Sequence, residues 1–346
     1  MAFPATPLTV EYAASKWGRS VQMRGNAMSR SPCTRANKAL QVLIATNEPW
    51  ATYHVQPLLA EAERRGWKLT QVVPDKSRIN PGDPVPTATP RTAPAADLLV
   101  VAGAGDWPVK VAGRFPRLPL TASGLAYLGP RQAVGARALR PRLQTITAAS
   151  PAAADAFADH LGTRRGTVTV VGSPQTDDLP ERAPEPGLVL VLTSVTRPDA
   201  TGEAAHGTAL LLAAAEQLRT DGKRIMVGLH PRENPALWAR YEISQVPSLS
   251  ASARAEATIG IPGTAFPLIA AVGTPLVGCT DPALEVPDYL LTVCSSTIDD
   301  AALAVSAVED ARPPAPETLR DVIGPVGGSA GRLFDVWSKA ACGDVA

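Results

Sequence analysis

The apolar positions of this chain fall into short solid runs that alternate with stretches of helical period. Leu40-Gln41-Val42-Leu43-Ile44-Ala45 is a run of the kind that a strand covered on both faces requires, so 40–45 is predicted as a buried strand. After the loop Thr46-Asn47-Glu48-Pro49-Trp50, the residues Val55, Leu58, Leu59 and Ala62 recur at i, i+3, i+4 and i+7, which predicts an amphipathic helix. Gly66 suits the end of that helix, and 68–73 is the next predicted strand. Strand, helix and strand on short connections open a parallel sheet. The Pro- and Thr-rich stretch 74–96 reads as a long loop. Further strands are predicted at 97–102, 143–147 and 167–171, with a helix at 151–161.

A break follows. Residues 179–187 hold three prolines and read as a linker. The alternation then restarts, with strands at 188–192, 224–228, 257–260 and 275–278, helices at 206–218 and 266–272, and a last helix at about 331–341. The pattern predicts an α/β protein with two Rossmann-like domains, 38–180 and 181–330, and a cleft where they meet. The segment 331–346 is expected to cross back to the first domain. Residues 1–37 have no steady period and carry Lys16, Arg19, Arg24, Arg30 and Arg35 against Glu11. They read either as an arm on the body or as upstream sequence that is poorly ordered.

Composition narrows the function classes. The 346 residues suffice for two cores. Lysine plus arginine number 33 and aspartate plus glutamate 32, so no global field favours a nucleic-acid polymer. The four cysteines, Cys33, Cys279, Cys294 and Cys342, form no CxxC pair and have no histidine at ligand spacing, so reduced thiols and no metal site are expected. No apolar run reaches the roughly 18 residues of a membrane span, and no secretory leader is visible, which predicts a cytoplasmic protein without a transmembrane segment. Between Trp107 and Arg142 lie Lys110, Arg114, Arg117, Arg131, Arg137, Arg140 and Arg142 without one acid. That stretch reads as a solvated basic face, or as a surface for an anionic acceptor or a membrane; no clear amphipathic helix is visible in it.

Three segments offer chemistry. The first is Tyr53-His54-Val55-Gln56-Pro57-Leu58-Leu59, followed by Arg64-Arg65-Gly66-Trp67. His54 falls in a first helical turn just beyond a strand end, where it can face a cleft. An imidazole near its ordinary pKa of about 6.5 can take a proton from a hydroxyl at neutral pH. Asp106 follows the strand 97–102 and could meet His54 at the same sheet edge, fixing its tautomer; a loop-surface aspartate is the plain alternative. Asn47 and Glu48, in the loop before His54, are candidate acceptor-binding residues, and Glu48 is the next candidate base.

The second segment runs from Ala257 to Val277. In it Gly263, Thr264 and Ala265 precede Phe266-Pro267-Leu268, and Gly273-Thr274-Pro275 closes the unit. Small residues at a helix start let backbone N–H groups approach a diphosphate, and proline is tolerated in a first turn, so a helix start near Thr264 is expected. The third segment is Gly228-Leu229-His230-Pro231-Arg232-Glu233. There His230 and Arg232 are candidate phosphate ligands, arginine being the better clamp. Thr193, Ser194 and Arg197 follow the strand 188–192 and should face the same cleft. Val171 to Asp177 shapes the turn toward the linker.

These segments, in this order, resemble those of the GT-B glycosyltransferases. The first is similar to the "GH-x-x-P-L-L … RGH" segment that opens the N-terminal domain of many members, with Tyr53 where glycine is usual. The second resembles the "S-G-T-x-x-x-E-A-x-x-x-G-x-P-x-V" donor motif, with Leu268 where glutamate commonly grips the ribose. The third is a His-Pro pair of the kind seen in sialyl- and glycerophosphate transferases and in hydrolysing UDP-N-acetylglucosamine 2-epimerases. The resemblance implies a GT-B fold, with 38–180 as acceptor domain and 181–330 as nucleotide-sugar donor domain. It implies His54 as general base, oriented by Asp106, and a donor held by Thr193, Ser194, Arg197, His230, Arg232, Gly263, Thr264 and Ala265. The implied reaction moves a sugar from a nucleotide-sugar, UDP-sugars favoured, to a hydroxyl of a small molecule such as a natural product or nucleoside. It uses no metal and no cofactor beyond the nucleotide-sugar co-substrate. A hydrolysing 2-epimerase and a non-catalytic nucleotide-sugar-binding homologue stand as alternatives, and monomer and homodimer are both left open.

Overall fold

The computed structural model describes residues 39–103, 105–127, 135–194, 206–230 and 233–343. The first half runs β1 (Gln41–Thr46), α1 (Leu59–Arg64), β2 (Lys68–Val72), β3 (Thr87–Ala88), β4 (Leu98–Ala102), α2 (Asp106–Arg114), β5 (Leu120–Ser123), β6 (Leu143–Ala148), α3 (Pro151–Leu161) and β7 (Thr169–Val170). The second runs β8 (Leu188–Leu192), α4 (Thr208–Thr220), β9 (Arg224–Gly228), β10 (Glu242–Ile243), α5 (Ser248–Arg254), β11 (Ala257–Gly260), α6 (Phe266–Val272), β12 (Leu276–Cys279), α7 (Asp288–Leu291), β13 (Ser296–Ile298), α8 (Ala304–Glu309), α9 (Pro316–Val322) and α10 (Ser329–Cys342).

Each half builds one parallel sheet, in the orders β3-β2-β1-β4-β5-β6-β7 and β10-β9-β8-β11-β12-β13. The solid apolar runs form the central strands: β4 and β8 are buried at every position, because helices cover both faces. In both sheets the order reverses beside the first strand, between β1 and β4 and between β8 and β11. Such switch points open a crevice beyond the C-terminal strand ends, where open α/β sheets bind ligands. The two halves pack as one compact unit.

The faces of the first sheet are covered differently. Leu43, Ala45, Leu99 and Val101 pack against α2 and α3, whereas Val42, Ile44, Leu98 and Val100 pack against α1 and α10. The last helix therefore completes the first half. Leu333, Phe334 and Trp337 are buried in it, Trp337 Nε1 donates to Ser123 Oγ at 2.9 Å, and the Phe334 ring stacks between Trp67 and Trp337. Asp177 accepts from the backbone N–H of Ser329 at 2.7 Å and of Ala330 at 2.8 Å, so a carboxylate sits at the positive end of α10. Gly172 lies beside it with φ +87°; a Cβ there would come within 2.4 Å of the Pro325 carbonyl oxygen. Beyond this clip, Arg182 donates to the carbonyls of Ala255 and Glu256 and to Thr274 Oγ1, which fastens the linker to the second half.

The chain departs from the sequence pattern at several places. The helix expected over Val55–Ala62 is broken into 3-10 turns, Thr52–His54 and Gln56–Leu58, before α1 begins. Pro57 has no N–H for an α-helical bond, while Val55 and Leu58 still reach the core. The basic stretch after Trp107 does hold an amphipathic helix, α2, which buries Pro108, Val111 and Ala112. Three of its arginines have structural partners. Arg142 donates to the carbonyls of Ala112 and Phe115, at the end of α2, and Arg140 to that of Gly162, after α3, while Arg137 lies against Gly162. Cations at helix C-termini satisfy orphan carbonyls and complement the dipole. Arg131 lies outside the described residues. Among those described, no helix is long and apolar enough to cross a membrane, and Cys279, Cys294 and Cys342 are free thiols.

Candidate functional site

The loop leaving β1 is stitched down before it delivers His54. Gln71, buried on β2, donates through Nε2 to Thr46 Oγ1 at 3.0 Å and to the Pro49 carbonyl at 2.8 Å. Thr46 Oγ1 donates to the Glu48 carbonyl at 2.7 Å, and Thr52 Oγ1 to Asp83 at 2.5 Å. A rigid loop thus sets the 3-10 turn that carries Tyr53 and His54 into a cavity of about 1140 Å³ between the halves. From the first half Tyr53, His54, Gln56, Glu61 and Arg64 line it; from the second come Thr193, His230, Ser248, Thr264, Ala265 and Leu268. Gln175, Asp177 and Asp178 line it at the junction.

His54 is largely withdrawn from water. Its Nδ1 is buried without a hydrogen-bond partner among the described residues, and its ring lies 4.3 Å from that of Tyr53. Burial lowers its pKa from 6.5 to about 4, partly opposed by the Glu48 carboxylate. The expectation of an imidazole near its ordinary pKa is therefore corrected: His54 is neutral throughout the physiological range. The partner expected for it is corrected too. Asp106 is the first residue of α2, exposed, outside the cavity lining, and does not reach the orphaned Nδ1. The carboxylate whose charge acts on the ring is Glu48, which also accepts from Tyr53 OH at 3.5 Å.

Neither expected acceptor residue lines the cavity. Asn47 is a brace. Its Oδ1 accepts from the Gly105 N–H at 2.6 Å, and a Cβ at Gly103 would collide with its side chain at 2.0 Å. Glu48 is exposed and outside the cavity lining.

On the second half, Thr193 Oγ1 accepts from the His230 N–H at 2.8 Å, tying the ends of β8 and β9 together, and both residues line the cavity. Thr264 and Ala265 line it as exposed residues. Helix α6 runs over the predicted 266–272, opening at Phe266 with Ala265 as its N-cap rather than near Thr264, and Pro267 sits in its first turn. Ser194 and Gly263 flank the lining without joining it. Arg197 and Arg232 lie outside the described residues. Leu268 is buried in the apolar cluster that also holds Leu43, Leu99 and Phe157 of the first half, so an apolar side chain occupies the position where the donor motif has glutamate.

Several lining residues were not singled out from sequence. Gln56, Ala60 and Arg64 form one face at i, i+4 and i+8, the polar complement of the stripe through Val55 and Leu59. That spacing was a usable signal. Glu61 is held below the usual carboxylate range, first by its bond from Arg64 at 2.6 Å and also by Arg65. Asp178 and Ser248 carried no signal, because the fold alone brings the linker and the start of α5 to the cleft.

No protein-family model and no curated protein matches this chain. Solved structures do. The wall teichoic acid polymerase TagF is similar over 88% of this chain and 90% of that one, with TM-score 0.62 at 8% identity. The Methanocaldococcus jannaschii UDP-GlcNAc 2-epimerase, in complex with UDP-GlcNAc and UDP, is similar over 86% of this chain and 99% of that one, with TM-score 0.57 at 12% identity. The calicheamicin glycosyltransferase CalG4 is similar over 89% of this chain and 100% of that one, with TM-score 0.57 at 16% identity. Two parallel sheets, each open at its switch point toward a shared cleft, together with these likenesses, give the chain the GT-B fold.

Proposed function

We propose that the protein is a metal-independent glycosyltransferase that moves a sugar from a nucleotide-sugar, UDP-sugars favoured, to a hydroxyl of a small acceptor such as a natural product or nucleoside. One observation carries the reading: a single cavity holds a neutral, buried imidazole on one wall and, on the other, the small residues Thr264 and Ala265 beside His230. In the proposed step His54 takes the acceptor's hydroxyl proton while the oxygen attacks the anomeric carbon. The bond from that carbon to the diphosphate breaks, and the nucleoside diphosphate leaves with the electron pair. Backbone N–H groups near Thr264 and Ala265, with His230, stabilise the departing charge. Helix α6 is only seven residues long, so close approach contributes here more than its dipole. A bound diphosphate brings negative charge that raises the basicity of His54.

The likeness to the 2-epimerase favours a second reading, hydrolysis and epimerisation of a sugar nucleotide, against which the apolar Leu268 counts. Incubation with UDP-, GDP-, dTDP- and CMP-sugars separates the possibilities. Slow release of the nucleotide without epimer supports the transferase, an epimer product supports the second reading, and binding without turnover a non-catalytic homologue.

A further inference from the structure

A second cavity, of about 770 Å³, opens on the other face of the first sheet. Helix α3 and the residues leading into β7 form one side, and α7 and α9 of the second half form the other. Its rim is acidic. Asp155 and Asp159 share Arg165, at 3.7 and 2.5 Å, while Asp288 and Asp321 face them from the second half with no ion pair to a described residue. Four carboxylates against one guanidinium leave the groove net negative.

Acidic rims are common on solvated surfaces, but His160 is a different kind of observation. It lines the groove, is 8% exposed and forms no hydrogen bond with a described residue. Burial lowers its pKa, which favours the uncharged ring, and an uncharged ring offers a lone pair. A ligand in the groove can supply the hydrogen that no described side chain gives it.

We propose that this groove binds a small organic ammonium ion, with His160 accepting a hydrogen from the ammonium group and Asp288 and Asp321 supplying the opposing charge across the junction. A bare metal ion fits less well, since no three His, Cys, Asp or Glu side chains gather closely enough to hold one among the described residues. The volume is that of a small-molecule site rather than a single-ion site. The site is separate from the front cleft and does not depend on the transferase reading.

Spermidine is the probe. Calorimetric titration into the full chain at 0.15 M salt is expected to show saturable binding with a stoichiometry near one. The double variant Asp288→Asn/Asp321→Asn is expected to weaken it at least tenfold, and His160→Phe by a similar factor. Both aspartates are exposed, so their neutral variants should keep the wild-type unfolding temperature, which keeps the test decisive if His160→Phe misfolds. No saturable binding, or equal affinity in the wild type and the double variant, overturns the proposal.

Discussion

The two walls of the front cleft are built on different principles. The first rests its chemistry on one side chain, His54, with one nitrogen orphaned and its basicity suppressed by burial. The second presents small, exposed residues, Thr264 and Ala265, whose usefulness lies in how closely a ligand can approach the backbone. A wall made by one buried group fails when that group loses an atom or gains a proton. A wall made by backbone and small side chains tolerates chemical change and fails when it gains bulk.

The largest effect expected is on the first wall. His54→Ala should lower turnover by about two to four orders of magnitude while leaving nucleotide affinity nearly unchanged. Near-wild-type turnover at saturating donor and acceptor would place the base elsewhere. Next is the pH dependence of stability. His54 titrates lower in the folded chain than in the unfolded one, so the unfolded chain takes up the proton first. Stability from this group is full above about pH 6.5 and falls as the pH drops toward 4, by up to about 3 kcal/mol. His160 acts in the same direction. Urea unfolding of His54→Phe should show a visibly flatter profile between those limits; a profile parallel to wild type would mean that the ring is solvated.

On the second wall, Thr264→Tyr should weaken nucleotide binding at least tenfold with an unchanged unfolding temperature, whereas Thr264→Ser should bind as wild type does. Wild-type affinity in Thr264→Tyr would place the diphosphate elsewhere. The smallest effect is expected at Asp106. Because it is exposed and does not reach the orphaned nitrogen, Asp106→Asn should change turnover less than about twofold, within the range of an ordinary surface substitution. A tenfold loss would restore it as the residue that orients His54.

Much of the scaffold was legible because its signal is local. Solid apolar runs at 40–45, 98–102 and 188–192 can only be covered strands, and Pro151 to Leu161 carries its own start and stop, Ser150 accepting from the Ala153 N–H and Gly162 in the left-handed conformation. The wall segments were legible as well, since His54, His230, Thr193, Thr264 and Ala265 all reach one cavity. What could not be read depends on neighbours far along the chain. Asn47 is adjacent to the cleft in sequence, but Gly103 and Gly105 pack against it, which turns a candidate ligand into a brace. Asp106 follows a strand as a catalytic loop residue would, yet the amphipathic pattern through Val111 and Ala112 draws it into a helix. The basicity of His54 was misjudged for a related reason: burial is a property of the assembled loop, stitched by Gln71 and Asp83, and sequence carries no measure of it.

The clip at Asp177 has a consequence for how the chain acquires its structure. One face of β1 and β4 is covered by Leu333, Phe334 and Trp337, all supplied by α10. As the chain emerges from the ribosome, the first sheet can assemble early, but that face is covered by α1 alone until the whole second half has been synthesised. The second half, whose own sheet needs nothing from α10, is free to fold while the first waits. The order of completion is thus the reverse of what position in the chain suggests, and the exposed face of β1 and β4 is where a chaperone would find this protein before Trp337 has been made.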